Sequence, residues 1–328
     1  MSILGIDQIT YGVQDPATCR QFFLDWGLTL KHESADRLEF ECLNGCGVIV
    51  ARSDDASLPP AMETGPTVRE VVWGVASPSN IKTLAAKLAG APGFFETENS
   101  MGGETGAIDP NGLGLRIRVT QKRAIDVQGV PMNTWGNAQR IDTRSRVYAR
   151  AEPVEVGHVV FFTAALKDVE AFYCERLGFA VSDRYPGRGL FLRCAPHGGH
   201  HDVFFLQLPT GKRGVNHVAF AVRDIHEVFG GGLHFSKCGW ETDLGPGRHP
   251  ISSAYFWYFK SPGGGLVEYY TDEDMLTPAW KPREFESKPE NFAEWAILGG
   301  IDGVSRRQKQ GPEPGAQTLA GQAARKPD

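Results

Sequence analysis

The pattern of apolar and polar positions along the chain switches between the period of a β-strand and the period of an α-helix. Residues 6–30 show a short apolar strand, a polar break, an amphipathic helix with paired aromatic residues, then glycine and a new strand. The same order recurs in residues 156–181. The apolar residues of this second helix share one face at helical spacing: Val169, Phe172, Tyr173 and Leu177. The pattern predicts strand–helix–strands units that occur more than once.

The repeat continues at a spacing of about 150 residues. REVVWGV (69–75) aligns with NHVAFAV (216–222), and DPNGLGLRIRV (109–119) aligns with SPGGGLVEYYT (261–271). Both members of the second pair place a turn with proline and glycine before a strand. We therefore predict an α+β fold of two tandem halves, each built from two strand–helix–strands modules that form a curved mixed sheet.

The composition is typical of globular proteins and argues against some classes of binding partner. Its 328 residues are 41% hydrophobic and 22% charged, with a net charge of −5, which gives no reason to expect nucleic-acid or acidic-membrane partners. No apolar run approaches the roughly 20 residues that cross a bilayer, and MSILGIDQIT lacks the features of an export signal. The six cysteines are scattered, which favours reduced thiols and a cytoplasmic location.

The two halves differ in chemistry at three matched positions. The first half has an amide, a carboxylate and a guanidinium there: Gln8, Glu70 and Arg116. The second half has two imidazoles and a carboxylate: His158, His217 and Glu268. These three lie in apolar strand segments, where an ionised glutamate is rare without a partner. Their spacing is too long for a helical metal motif and suits three separate strands of one sheet.

Two histidines and one carboxylate form the facial triad of non-haem Fe(II) oxygenases, which leaves coordination positions open. We therefore predict that His158, His217 and Glu268 bind a divalent cation. Arg116 would repel a cation, so the first half should carry no metal. A lone histidine at a strand start is more often a core residue, but three such residues at equivalent places in a duplication favour the metal site.

The run GRHPISSAYFWYFKSPGGGLVEYY (247–270) resembles a signature of the type I extradiol ring-cleavage dioxygenases of the vicinal oxygen chelate superfamily. The resemblance in architecture covers about residues 3–290 and is densest from 156 to 272. It implies the vicinal oxygen chelate fold of βαβββ modules. It also implies a metal site in the C-terminal half, with the triad above as ligands, and a degenerate N-terminal half.

The resemblance also assigns roles around the metal. His201, in HHDVFF, matches an active-site histidine that acts as acid or base near the oxygen site. His249 and Tyr258 match a pair that hydrogen-bonds the oxygens of the substrate. Many family members have a further histidine close to Ser253, and its absence here puts the outer proton-relay network in doubt.

His200 precedes His201, so the sequence offers two candidates for the acid–base position. Strand alternation would place His201 on one face with Val203 and Phe205 and would turn His200 away. On this argument, together with the resemblance, we predict that His201 is the active-site residue.

The implied activity is that of an oxidoreductase that opens the ring of a catechol-type aromatic diol and inserts both atoms of O2. Fe(II) is the implied cofactor, and Mn(II) also suits the ligand set. Family members are commonly oligomeric, so we expect a homo-oligomer. Several aromatic residues could line a hydrophobic pocket: Phe191, Phe204, Trp240, Tyr255 and those of residues 276–295.

Two other functions compete with this prediction. The first is a glyoxalase-like metal-dependent isomerase on the same fold, although such a site usually needs four protein ligands. The second is a non-catalytic protein that binds an aromatic compound or an antibiotic, although such modules are generally shorter and do not need all three ligands.

These observations predict four segments. Residues 1–125 form the N-terminal domain without metal, and residues 126–150 form a linker. Residues 151–290 form the catalytic domain with the metal site. Residues 291–328 form a C-terminal extension that ends in a mobile tail, because its last part is polar and rich in Gly, Pro, Gln and Ala.

Overall fold

The computed structural model describes residues 3–100 and 102–301. It contains two mixed sheets, one of eight strands and one of ten. The elements that form the first sheet and cover it are β1 (Ile3–Val13), α1 (Pro16–Asp25), β2 (Thr29–Glu33), β3 (Arg37–Glu41), β4 (Gly47–Arg52), β5 (Thr67–Val75), α2 (Pro78–Leu88), β6 (Phe95–Thr97), β7 (Glu104–Ile108) and β8 (Gly114–Val119).

The second sheet repeats this order and adds short elements at its C-terminal end. Its elements are β9 (Glu155–Phe162), α3 (Leu166–Ala171) with a π-helical continuation (Phe172–Leu177), β10 (Ala180–Tyr185), β11 (Gly189–Arg193), β12 (Val203–Leu206), β13 (Gly214–Ala221), α4 (Ile225–Lys237), β14 (Thr242–Arg248), β15 (Tyr255–Lys260), β16 (Leu266–Thr271), β17 (Arg283–Glu284), α5 (Pro289–Phe292) and β18 (Trp295–Leu298).

The strand order shows how the modules join. The first sheet runs β2-β3-β4-β1-β5-β8-β7-β6, and the second runs β17-β10-β11-β12-β9-β13-β16-β15-β14-β18. In each sheet the first strands of the two modules, β1 with β5 and β9 with β13, pair antiparallel at the centre. The predicted fold class, two halves of two βαβββ modules each, is confirmed.

Strand register shows that the three matched positions are equivalent in space. In the second sheet, Ala219 of β13 pairs with His158 on one side and with Glu268 on the other. In the first sheet, Val72 of β5 pairs with Gln8 and with Arg116 in the same way. The alignment made from the sequence therefore corresponds to the same row of each sheet.

The two halves share one hydrophobic core. The Trp26 ring stacks on Tyr269 with a centroid distance of 3.5 Å, and the Tyr269 hydroxyl donates to the Trp26 carbonyl at 2.7 Å. The Tyr173 hydroxyl donates to Asp109 Oδ2 at 3.0 Å. These contacts fix the second half against the first.

The segments outside the repeats differ in structure. Residues 126–150 form no helix or strand beyond one bridge between Thr134 and Asn137. Two short strands beyond the repeated modules also join the second sheet. β17, inside the predicted catalytic domain, pairs with β10, and β18, in the predicted C-terminal extension, pairs with β14. The predicted mobile tail beyond residue 301 lies outside the described residues. None of the helices in the described ranges is long and apolar enough to cross a membrane.

Candidate metal centre

Three neighbouring strands bring the predicted ligands together. His158 lies on β9, His217 on β13 and Glu268 on β16. His158 Nε2 and His217 Nε2 lie 3.2 and 3.1 Å from Glu268 Oε2, and the two nitrogens are 3.4 Å apart. Ala219, between His158 and Glu268 in the register, has only a methyl group and leaves the space between them open.

The neighbour of His158 is glycine for a steric reason. A Cβ at Gly157 would lie 1.8 Å from the hydroxyl oxygen of Tyr270. The absence of a side chain there allows the Tyr270 ring to pack against the His158 imidazole at a centroid distance of 4.7 Å. This contact contributes to the fixed orientation of His158.

Glu268 is fully buried, and one of its oxygens is unsatisfied. No described group hydrogen-bonds Oε1, and its neighbour His249 Nε2 lies 3.8 Å away, beyond hydrogen-bonding distance. Burial alone would raise the pKa of Glu268, but interactions with His158 and His217 outweigh burial and hold the pKa well below its ordinary value. The carboxylate is therefore ionised, and its Oε1 has no hydrogen-bond partner among the described residues.

The hydrogen bond between His217 and Asn216 leaves His217 Nε2 available as a ligand. Its Nδ1 lies 2.7 Å from Asn216 Oδ1, which can only accept, so Nδ1 carries the proton. In the neutral ring, Nε2 then presents a lone pair to Glu268 Oε2. Two acceptors that face each other at 3.1 Å repel unless a positive charge lies between them.

The dimensions and donor set fit a divalent transition metal. Two ligands on adjacent octahedral positions with bonds of about 2.1 Å lie about 3.0 Å apart, close to the distances found here. Two neutral imidazoles and one carboxylate are the set found in non-haem Fe(II) enzymes. The outer contact from Asn216 to His217 is of the kind that orients metal ligands, whereas His158 Nδ1 is buried with no hydrogen-bond partner among the described residues.

A cavity of about 570 Å³ opens onto the three side chains. Its wall is mostly apolar, with aromatic and aliphatic side chains from both modules and from the C-terminal segment: Phe191, Phe204, Leu206, Leu244, Ile251 and Phe292. The Phe191 and Phe204 rings stack with a centroid distance of 3.9 Å. Such a wall suits an aromatic ligand whose polar atoms face the metal centre.

His249 and Tyr258 lie at the cavity and contact each other. His249 Nδ1 is 2.6 Å from the Phe292 carbonyl oxygen, so Nδ1 carries the proton and Nε2 accepts from the Tyr258 hydroxyl at 3.0 Å. Burial raises the pKa of Tyr258 well above its ordinary value, with a further contribution from Glu268, so the hydroxyl remains protonated. The pair can therefore offer donor and acceptor groups to a bound molecule.

His201 also faces the cavity, but the strand-alternation argument for it is wrong. The chain bends at Asp202 before β12 begins, so His201 lines the cavity with Phe204, while Val203 and Phe205 are buried in the core. His201 packs on His158 with a centroid distance of 4.1 Å. Burial lowers the pKa of His201 well below its ordinary value, which favours the neutral ring.

Some predicted lining residues lie elsewhere, and some residues of the site were missed. Trp240 packs against Phe22 in the interface between the halves, and Tyr255 is not part of the cavity wall. The contribution of Asn216 was not predicted, because successive side chains of a regular strand point to opposite faces. The carbonyl of Phe292 carries no sequence signal, because any residue provides one.

In the first half the equivalent place is filled by an ion pair. The Arg116 guanidinium bonds Glu70 at 3.1 Å and Glu104 at 2.7 Å. Gly106, which pairs with Arg116, occupies the register position that Tyr258 has opposite Glu268. A cavity of about 360 Å³ lies beside these groups.

Parts of this chain are similar to known proteins. Residues 155–269 match the model of the Glyoxalase/Bleomycin resistance protein/Dioxygenase superfamily. "Metapyrocatechase 2" from Cupriavidus necator is 29% identical over 222 residues, which span 65% of this chain and 67% of that protein. The "3-methylcatechol 2,3-dioxygenase" of Pseudomonas putida is 31% identical over 135 residues, 38% of this chain and 44% of that protein.

The fold is also found in solved structures. The Mn(II)-bound glyoxalase from Novosphingobium aromaticivorans superposes with a TM-score of 0.72 at 23% identity. The superposition covers 97% of this chain and 98% of the other. At 23% identity, this similarity shows a shared fold alone.

Proposed function

Because residues 155–269 match the model of the Glyoxalase/Bleomycin resistance protein/Dioxygenase superfamily, we propose that the chain is an Fe(II)-dependent extradiol dioxygenase that cleaves the ring of a catechol-type diol with O2. Both oxygen atoms enter the product. The names of the relatives support a catechol-type substrate. The activity, the iron and the roles of the individual residues are parts of this proposal.

The observation that carries the proposal is the unsatisfied Glu268 carboxylate at the base of an apolar cavity. Its Oε2 and the two imidazole nitrogens lie within 3.4 Å of one another, while Oε1 has no hydrogen-bond partner among the described residues. In our proposal His158, His217 and Glu268 hold the cation. Bound there, Fe(II) supplies the redox chemistry that couples the diol to O2, and Mn(II) is the second candidate.

The other polar side chains of the cavity act on the diol. Neutral His201 can take a proton from a diol hydroxyl at its Nε2 and return a proton later in the reaction. Tyr258 and His249 hydrogen-bond the diol oxygens and fix the orientation of the ring. The apolar wall excludes water and contacts the ring faces.

A glyoxalase-like isomerase is less well supported. The part of the chain that the structure describes offers one cluster of three ligands, His158, His217 and Glu268, without a fourth carboxylate or imidazole in the group. A non-catalytic binding protein would not need the arrangement of lone pairs at Glu268. The homo-oligomeric state and the cytoplasmic location stay predictions.

Oxygen uptake tests the proposal. The protein is purified without oxygen, loaded with Fe(II) or Mn(II), and mixed with catechol, 3-methylcatechol or 2,3-dihydroxybiphenyl. We expect one O2 consumed per diol and a coloured ring-opened product. A stoichiometrically loaded protein that consumes none of these diols would contradict the proposal and favour the isomerase. A protein that binds no metal would favour the binding module.

A further inference from the structure

His200 is a buried titratable group to which the proposed function gives no role. Its side chain has no exposed surface and lies behind His201 as seen from the cavity. His200 Nε2 is 2.8 Å from Asp183 Oδ2, and His200 Nδ1 is 3.2 Å from His201 Nδ1. Three side chains therefore form a line from the interior to the cavity.

Asp183 determines that His200 Nε2 carries a proton. Its carboxylate accepts hydrogen bonds from the Arg283 backbone N–H at 2.7 Å and from the Arg283 guanidinium at 2.6 Å. Burial alone would raise the pKa of Asp183, but the contacts with His200 and Arg283 hold it below its ordinary value. An ionised carboxylate can only accept, so His200 Nε2 carries a proton.

The remaining protons follow from that assignment. A neutral His200 with its proton on Nε2 has a lone pair on Nδ1, so His201 must donate from its own Nδ1. His201 Nε2 is then unprotonated, and among the described residues it has no hydrogen-bond partner. The network therefore presents a proton acceptor to the cavity that His201 lines.

Glu273 holds the backbone of the loop that carries His200 and His201. The His200 N–H donates to Glu273 Oε2 at 3.0 Å, and Tyr270 donates to Glu273 Oε1 at 3.2 Å. A Cβ at Gly199 would lie 2.1 Å from Glu273 Oε1, so glycine is required for this close approach. The loop that carries both histidines is thus fixed relative to β16.

We propose that His200 receives the Nδ1 proton of His201 when His201 takes a proton from the diol at Nε2. The diol O–H bond and the His201 Nδ1–H bond break, and an N–H bond forms at His201 Nε2 and at His200 Nδ1. His201 ends neutral in its other tautomer, and His200 becomes an imidazolium beside Asp183. The reverse transfers return the proton, and no electron moves.

Charge is the reason for the relay. His201 packs on His158 with a centroid distance of 4.1 Å, and among the described residues no carboxylate hydrogen-bonds its ring. Next to Asp183 the same positive charge is compensated at 2.8 Å. Moving the proton one residue inward therefore places it beside a carboxylate. This inference rests on the proposed function, because it concerns the proton of the diol.

The first test is independent of turnover. In metal-free protein with 15N-labelled histidine, we expect His201 to show a protonated Nδ1 and an unprotonated Nε2, with a coupling between the two Nδ1 nitrogens across their hydrogen bond. His200→Gln and His201→Asn assign the signals. A His201 ring protonated at Nε2 in the wild-type protein would overturn the proposal.

The second test measures the proton step itself, without O2. Metal-loaded protein is mixed anaerobically with a catechol whose ionised form absorbs at longer wavelength. In His200→Gln the amide oxygen can still accept from His201 Nδ1 but cannot take up a proton. We expect ionisation of the bound diol to slow about 100-fold, with unchanged metal affinity. The matched control is His197→Gln, which changes an exposed histidine of the same loop and should behave as wild type.

The outcomes separate the two proposals. A His200→Gln variant that ionises the diol as fast as wild type overturns the relay, while ring cleavage by the wild-type protein would still support the dioxygenase. Slower ionisation together with an unchanged His201 tautomer supports the relay, because a purely structural role would move both. If the wild-type protein binds no diol, the proposed function fails and the relay fails with it.

Discussion

The eight strands of the modules have the same order in both halves, and the matched positions have the same register, but the buried carboxylates are balanced differently. In the first half the Arg116 guanidinium bonds Glu70 and Glu104, so the cation that the carboxylates need is a side chain of the same sheet. In the second half no basic side chain lies within hydrogen-bonding distance of Glu268 Oε1 among the residues described. The histidines beside Oε2 offer lone pairs to an external cation.

Under the proposed function, this difference gives the duplicated fold a metal centre in one copy only. Val72 in the first half and Ala219 in the second occupy the same row, and the smaller residue leaves room between the ligands. Gly106 and Tyr258 are likewise equivalent, and only Tyr258 provides a polar group beside the centre. A few substitutions at fixed register positions distinguish the two sites.

The largest difference should appear between two single variants: one that removes a proposed ligand in the second half, and one that changes the matched residue in the first half. We expect His158→Ala to lower metal affinity by more than the about 100-fold typical of losing an outer contact, and to abolish oxygen uptake. Gln8→Ala, at the matched position, should retain full metal content and activity. Metal analysis after dialysis and oxygen uptake measure both variants. Equal losses in both would contradict the functional difference between the halves.

The next effect concerns Tyr258, whose counterpart is a glycine. Tyr258→Phe removes the hydroxyl that bonds His249 and faces the cavity, so we expect kcat to fall by about 100-fold with metal content unchanged. Tyr255→Phe, on the same strand but outside the cavity wall, is the control. Steady-state kinetics on the diol that is turned over best would check this. A variant with wild-type kcat would remove Tyr258 from the proposed set.

A smaller effect should follow from loosening His217. Asn216→Ala removes the acceptor for His217 Nδ1–H, so the ring loses its fixed tautomer, and we expect metal affinity to fall about 10- to 100-fold. Asn216→Asp keeps an acceptor there and should restore most of the affinity. Competition with a metal chelator, without diol, gives both values. No loss in Asn216→Ala would mean that His217 is oriented by other contacts.

The smallest effect concerns stability at the contact between the halves. Burial raises the pKa of Asp109 to about 6 from an ordinary value of 3.8. The folded state therefore binds this proton more tightly, and its stabilising contribution, present below pH 3.8, is lost as the pH rises to about 6. The loss is up to about 3 kcal/mol.

Asp109→Asn removes this titration but keeps the contacts. The amide oxygen can accept from the Asn111 and Leu113 N–H groups, and the amide nitrogen can donate to the Tyr173 hydroxyl. We expect the thermal midpoints of the two proteins to diverge between pH 4 and pH 7, with the variant more stable at pH 7. A difference that does not change with pH would rule out this role for Asp109.

Sequence reasoning recovered the features that depend on repetition. The two strand–helix–strands modules per half follow from hydrophobic periodicity, and His158, His217 and Glu268 stand out because the other half has different residues in the same row. The residues that share the face of His201 could not be predicted, because the bend at Asp202 breaks the alternation on which the argument relied. The pairing of β18 with β14 depends on backbone hydrogen bonds, which any sequence can make.

The most direct test of the account is to locate the bound metal by anomalous X-ray scattering from crystals grown with Fe(II) or Mn(II). We predict one strong peak per chain, surrounded by His158 Nε2, His217 Nε2 and Glu268, and no peak beside Gln8, Glu70 and Arg116. A peak in the first half, or no peak at the three C-terminal side chains, would contradict the claim that the duplication retains a metal centre only in its second copy.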